Sequence, residues 1–272
     1  MNIDLHCHTN VSDGTLTPDE LIHLAQKRGV DILSITDHDT LDAYSKISSI
    51  PASLKLISGI EFSSQWRGQG IHIVGLNIDV THPKLQEAVA QQSIVRDYRA
   101  LKIADRLAKK GFIGCMEGAK KFGSHQIGRP HFAQHLVEIG AVKDTKEAFK
   151  KYLGAGKIGD IKDGWPSIDE IVSWIKLAGG IAVLAHPKKY SMTRTKLLEL
   201  ISDFRSAGGE GMEVISGYQD RNITKDLAKL CNNFELLASC GSDFHDINRK
   251  WAALGMVDRI PESCNPIWQA WL

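Results

Sequence analysis

The chain has 272 residues, 43% of them hydrophobic and 24% charged, with a formal net charge of +1. That length can bury a substantial core in one large α/β domain, or in one barrel with an insertion. No run of about 18 apolar residues occurs, so no membrane span is expected. The N-terminus lacks the basic and apolar regions of a signal peptide, and the five scattered cysteines form no Cys-x-x-Cys pair, so a reducing cytoplasm is the expected compartment.

Ile3, Asp4, Leu5 and His6 read as a short strand running into a loop. Alternate side chains of a strand share a face, so His6 and His8 point together while Cys7 points away. That spacing suits two imidazoles on one metal ion, although two core histidines at a strand end would look the same in isolation. Asp13 follows beside Gly14, where a turn can bring its carboxylate back to the pair. Thr17-Pro18-Asp19-Glu20 is a capping box that starts a helix, which Gly29 ends. Asp31 to Thr36 is a buried strand delivering His38 between Asp37 and Asp39, two carboxylates expected to orient ligand histidines or shape the loop. A helix through Ala43 and Ile47 should lead to a strand over Leu54–Ile60 that delivers Glu61, and Ile71 to Leu76 should carry His72. Three strand-then-helix units in sequence predict parallel α/β architecture.

From Pro83 to Leu153 the pattern is helical, with short helices over Pro130–Val137 and Lys146–Tyr152. We read 1–95 as the first part of a barrel, 96–163 as a helical insertion forming a substrate lid, and 164–272 as the second part. The insertion carries 15 Lys and Arg against 8 Asp and Glu, a balance of +7, and the remainder carries −6. A basic insert on an acidic body suggests an anionic ligand under one and metals in the other. The rhythm returns with a second capping box at Ser167–Glu170. Strands then end at His186-Pro187, at Ile215, and at Gly241-Ser242-Asp243-Phe244-His245, making seven in all.

The groups at these strand ends are His6, His8, Asp13, His38, Glu61, His72, His186, Asp243 and His245. In a parallel barrel the C-terminal strand ends form one rim where catalytic groups gather. Nine nitrogen and oxygen ligands exceed what one ion can use, so two or three ions are expected. Manganese, iron and zinc all suit the donor set. Such a cluster would lower the pKa of bound water to about 7 and supply hydroxide for in-line attack on phosphorus. No Ser or Cys nucleophile with a paired base is evident, so no phosphoenzyme is expected. His23, His82 and His135 read as structural, and His125 is left unassigned.

The motifs DLHCHT, TDHD, the Glu of GIEFS, AHP and GSDFH, together with IHIVGL, IGRPHFAQHL and GGIAVLAHPKKY, resemble the polymerase-and-histidinol-phosphatase (PHP) phosphoesterase superfamily across the whole chain. They resemble in particular its bacterial branch with 3′,5′-nucleoside bisphosphate phosphatase and 5′-3′ exoribonuclease activity. The resemblance implies a distorted seven-stranded (β/α) TIM-like barrel holding three divalent ions, with manganese favoured over iron or zinc. It implies His6, His8, Glu61 and Asp243 around the first ion, and Glu61 bridging to a second completed by His72 and His186. Asp13, His38 and His245 would hold the third. Arg129, whose planar fork suits a phosphate, would lie over the metals with His131 beside it, and Lys188, Lys189 and Tyr190 would face substrate. The implied substrates are nucleoside 3′,5′-bisphosphates, hydrolysed to 5′-mononucleotides, and short single-stranded RNA ends. A monomer is expected. The rival expectations are a histidinol phosphatase, and a non-catalytic metal-stabilised nucleic-acid-binding module.

Overall fold

In the computed structural model, which describes residues 1–123 and 126–272, the predicted first strand is β1 (Ile3–Cys7), buried on both faces. The Thr17–Glu20 capping box opens α1 (Pro18–Lys27): Thr17 N donates to Glu20 Oε2 at 2.8 Å and Glu20 N to Thr17 Oγ1 at 3.2 Å. Then follow β2 (Ile32–Ile35), β3 (Lys55–Trp66), β4 (Gln69–Leu76), α2 (Pro83–Ala108), α3 (Cys115–Lys120), α4 (Arg129–Glu138) and α5 (Thr145–Ala148). The chain returns to the sheet through α6 (Ile168–Leu177), β5 (Ile181–Leu184), α7 (Arg194–Ser206), β6 (Gly211–Ser216), α8 (Arg221–Asn233) and β7 (Leu237–Gly241). Ser167 and Glu170 cap α6 as their spacing predicts.

The seven strands lie in chain order, β1 to β7. Just past β7 the chain closes on β1, where Asp243 N donates to His6 O and His8 N to Phe244 O, both at 2.8 Å. Gly241 makes this approach possible, since a Cβ there would stand 2.3 Å from His6 Cβ. The result is a nearly closed, barrel-like sheet.

The parallel expectation fails in the middle of the sheet. β4 pairs antiparallel with both β3 and β5. The helix expected through Ala43 and Ile47 shrinks to one 3₁₀ turn, Tyr44–Lys46. Two apolar positions ahead of a Ser-Ser-Ile-Pro stretch cannot sustain a helix nucleus. Tyr44 is instead pinned to the sheet, its hydroxyl donating to Ile35 O and accepting from Gly59 N, each at 2.6 Å. No helix separates β3 from β4 either. Arg67 and Gly68 take φ of 46° and 75° and turn a tight hairpin whose twist matches its strands. Glu61 therefore sits within a 12-residue strand rather than at its end.

Two apolar clusters fill the barrel and its surrounding helices, and a third lies among the helices between β4 and α6. The long helix α2 serves both regions. Leu85 and Ala88 pack with the barrel core, and Ala100, Ile103 and Leu107 pack with Phe132 and Leu136 in the third cluster. No helix among the described residues is long and apolar enough to cross a membrane.

Candidate metal centre

β1 sends His6 and His8 to one point, with their Nε2 atoms 3.1 Å apart and both side chains fully buried. Cys7 faces the other way and donates its thiol to Ser34 O. Glu61, also fully buried, lies at the centre. Its Oε1 accepts from His72 Nδ1 and His186 Nε2, each at 2.9 Å. Its Oε2 stands 2.9 Å from His38 Nδ1, 3.2 Å from His6 Nε2 and 3.3 Å from His8 Nε2, yet accepts no well-angled hydrogen bond among the described residues. Asp243 Oδ1 is 3.5 Å from His6 Nε2 and 3.4 Å from His8 Nε2. On the far side Asp13 approaches His245 Nε2 at 3.3 Å and His38 Nε2 at 3.8 Å.

This crowding carries a clear electrostatic signature. Burial pushes the Glu61 carboxyl up, but His6, His72 and His38 outweigh it and hold it well below the usual carboxylate range. His245 and His38 do the same for Asp13 against burial, and Lys189 and His245 for Asp243. Burial opposes protonation of His8, but Asp243 and Glu61 lift it to about 10, and Glu61 and Glu213 lift His6 well above its ordinary value. Burial prevails at His38, lowering it to about 4.

The arrangement fits divalent ions. Imidazole nitrogens and carboxylate oxygens in four overlapping groups lie within 4.8 Å of one another: His8, Asp13, His38 and His245; His6, Glu61 and His186; His6, His8 and Asp243; and His38, Glu61 and His72. Two buried nitrogens facing each other across 3.1 Å, beside a carboxylate oxygen with three nitrogens around it and no hydrogen bond, are what lone pairs converging on a cation produce. The backbone is strained here too: His186 and Asp243 hold φ of 28° and 53°, in the left-handed region that non-glycine residues avoid.

Several supporting residues were not singled out by sequence reasoning. Glu213, in the middle of β6, accepts from His6 Nδ1 at 2.6 Å with one oxygen and from His186 N at 2.6 Å with the other. Its signal was an acidic residue inside the apolar run GMEVIS, and Asp4 gives the same signal in β1. Asp4 ties the strand ends by accepting from Ser242 N and Gly255 N. Among the described residues, neither the Asp37 nor the Asp39 carboxylate hydrogen-bonds a histidine of the cluster. Asp37 binds Thr9 and Ser12 and so fixes the His8–Asp13 loop, while Asp39 binds Ser63 N, Gln92 and Arg96.

Beside the cluster lies a cavity of about 180 Å³, bordered by Asp13, His38 and His72 on one side and by Arg96, Arg99 and Arg129 on the other. Arg99 stacks over Trp165 at 4.2 Å, and its Nη1 is buried without a hydrogen-bond partner among the described residues. Burial, then the charges of Arg129 and Arg96, push Arg99 down to about 9. Arg129 reaches Asp160 at 3.8 Å and Leu153 O at 3.4 Å. His131 Nδ1 accepts from Gly128 N at 3.0 Å, which leaves Nε2 as the nitrogen available to the cavity. Lys188 is exposed outside this cavity, and Lys189 pairs with Asp243. Tyr190 donates to Ala185 O and accepts from His72 N, bracing the two strands that carry His72 and His186. His23 is exposed on α1, His82 precedes α2, and His135 bonds Glu138. His125 lies outside the described residues.

Comparison with known proteins agrees with this geometry. The PHP domain family model matches residues 4–208. A 5′-3′ exoribonuclease from Haemophilus influenzae is 41% identical over 98% of this chain and 97% of its own. A 3′,5′-nucleoside bisphosphate phosphatase from Chromobacterium violaceum is 40% identical over 98% of this chain and 95% of its own. A solved structure from Chromobacterium violaceum, described as an amidohydrolase with bound sulfate and no metal, aligns with a TM-score of 0.91. It is 39% identical, covering 99% of this chain and 95% of that one. The chain thus belongs to the PHP family and is a metal-dependent phosphoesterase.

Proposed function

We propose that the protein hydrolyses nucleoside 3′,5′-bisphosphates to 5′-mononucleotides and removes 5′-terminal nucleotides from short single-stranded RNA. The observation that carries this reading is one cavity bordered by the histidine–carboxylate cluster and, opposite, by three arginines. The relatives named above support the same substrates.

His6, His8, Asp13, His38, Glu61, His72, His186, Asp243 and His245 would hold three divalent ions, manganese in preference to iron or zinc. Such ions supply Lewis-acid stabilisation of phosphoryl oxygens and a lowered pKa for water. The protein's own groups do the rest. Glu213 holds the His6 Nδ1 hydrogen, leaving Nε2 as the lone pair that faces the cluster. Arg99 and Arg129 would take the 5′-phosphate, with His131 Nε2 beside them, and the lid over 96–163 would carry these groups. A bidentate guanidinium fixes both distance and orientation, so the 3′-phosphate arrives at the cluster already positioned. Lys188 and Lys189 would face substrate from the opposite side.

Both activities break the same bond. Water adds to phosphorus and the P–O3′ bond opens, releasing a 5′-mononucleotide whose 3′ oxygen takes a proton. In a bisphosphate the other product is inorganic phosphate. In RNA it is a chain that again begins with a 5′-phosphate, ready for the same arginines. A histidinol-type amine phosphate would bring a cation toward three guanidiniums, which disfavours it.

A manganese-supplemented comparison of nucleoside 3′,5′-bisphosphate, 5′-phosphorylated oligoribonucleotide, generic monophosphate ester and histidinol phosphate tests the reading. The first two should be preferred. In Arg99→Ala, kcat/KM for both should fall at least roughly tenfold, about 1.4 kcal/mol of transition-state stabilisation, with much less loss on the monoester. Preference for histidinol phosphate, or equal losses on all substrates, would overturn the two-phosphate arrangement.

A further inference from the structure

A second cavity of about 170 Å³ also borders the metal centre and shares no lining residue with the arginine-lined one. Where the first borders Asp13, His38 and His72, the second borders His186 and Glu213. The loops after β5 and β6 wall it, so it opens on the same rim as the cluster. Lys188, Lys189, Gln219 and Tyr218 line it.

Two features of this rim are unexplained by hydrolysis of a small nucleotide. The first is exposed aromatic surface. Tyr218 is 83% exposed and Trp251 is 65% exposed, and their backbones are joined, Tyr218 N donating to Trp251 O at 2.7 Å. Gly217 permits that junction, because a Cβ there would stand 2.7 Å from Trp251 O. The loop bearing Asp243 and His245 runs directly into this pair through exposed Ile247 and Lys250. The second feature is charge. Lys188 is exposed and lines the second cavity with Tyr218, Lys250 is exposed and precedes Trp251 in the chain, and Lys189 is paired with Asp243 at the edge of the cluster.

Exposed rings and exposed lysines carried by the same rim loops suit single-stranded nucleic acid. Every base has a face to stack, and the backbone phosphates need cations between stacked positions. The bond chemistry gives the direction. With the 5′-terminal nucleotide in the arginine-lined cavity and its P–O3′ bond at the cluster, the rest of an RNA chain must leave from the phosphorus on the opposite side. A nucleoside bisphosphate has nothing to place there.

We propose that Tyr218 and Trp251 form a stacking platform for the bases that follow the scissile phosphodiester of a single-stranded RNA, with Lys188 and Lys250 beside its backbone. This subsite rests on the phosphoesterase reading above. It makes Tyr218, on the wall of the second cavity, and Trp251, joined to it through the backbone, an RNA-selective extension of the site.

The test measures Tyr218→Ala and Trp251→Ala on a short 5′-phosphorylated oligoribonucleotide and on a nucleoside 3′,5′-bisphosphate, with manganese. Each variant should lose at least about fivefold in kcat/KM on the oligonucleotide, mainly through KM, as expected for a lost base stack. Bisphosphate hydrolysis should stay within about twofold, and Tyr218→Phe should behave as wild type because a phenyl ring stacks equally well. Equal losses on both substrates would mean that the rings support the metal rim, and no loss on the oligonucleotide would mean that RNA does not pass over them. Either result overturns the platform. Wild-type protein that hydrolyses the bisphosphate but leaves every oligonucleotide uncut would remove the platform and keep the phosphatase reading. Protein inactive on both would remove the two together.

Discussion

Glu213 touches no substrate in the proposed reaction, yet two of the cluster's histidines depend on it. One oxygen fixes the His6 ring and the other fixes the His186 backbone, and the carboxylate is 1% exposed. Glu213→Gln keeps the shape but turns a donor toward at least one N–H. Loss of such an outer carboxylate typically weakens a metal site 10–100-fold, so manganese affinity by calorimetric titration should fall by roughly that factor. Unchanged affinity would reduce Glu213 to a packing residue. The histidines of the cluster were legible because their spacing on strands and their recurrence at predicted strand ends are sequence properties. Glu213 was not, because one acid within an apolar strand is equally a partner for a backbone amide, as Asp4 is. Arg99 was hidden for another reason. In sequence it is one of many basic residues on a helix, and only packing on Trp165 reveals a guanidinium nitrogen without a partner among the described residues.

At the level of elements, both capping boxes and all seven strands could be read from local patterns, since capping and alternation act within a few residues. Strand direction could not. β4 lies antiparallel to both its neighbours because a two-residue turn joins it to β3, and the long helical excursion between β4 and β5 brings the chain back in at the end of the sheet where it left, Ile181 beside Leu76. Arg67-Gly68 was the available signal, though a lone Gly after Arg is weak evidence for a hairpin. The consequence for the site is direct. β3 extends past Glu61, so the backbone that carries this carboxylate is held within the ladder, with Glu61 opposite Val74 in the hairpin. His186 and Asp243, by contrast, stand just beyond their strands in the left-handed region. Rigid centre and strained flanks divide the cluster between sheet and loops.

For the whole molecule, the balance of protons and metal ions governs stability. Asp13, Glu61 and Asp243 titrate below their ordinary values, so their stabilisation is present above about pH 4 and is lost as pH falls through the native values. His8, raised to about 10, stabilises below its ordinary value of 6.5 and loses that contribution as pH climbs toward 10. In chelated protein these imidazolium charges offset the carboxylates. Metal ions need the same lone pairs, so binding must expel the protons. Added manganese should therefore raise Tm more at mildly alkaline than at mildly acidic pH, with proton release visible as buffer-dependent binding heat. A Tm shift independent of pH would show that protons and metal do not compete. The long helix α2 has a different consequence. It is one continuous 26-residue element anchored at one end in the barrel and at the other among the helices between β4 and α6. It acts as a beam across both, so neither can melt without fraying the support of the other. Heating should accordingly give a single calorimetric transition whose van't Hoff and calorimetric enthalpies agree. Two separated peaks would mean that the beam breaks near its middle, and that the arginines it carries swing away from the barrel before the barrel itself gives way.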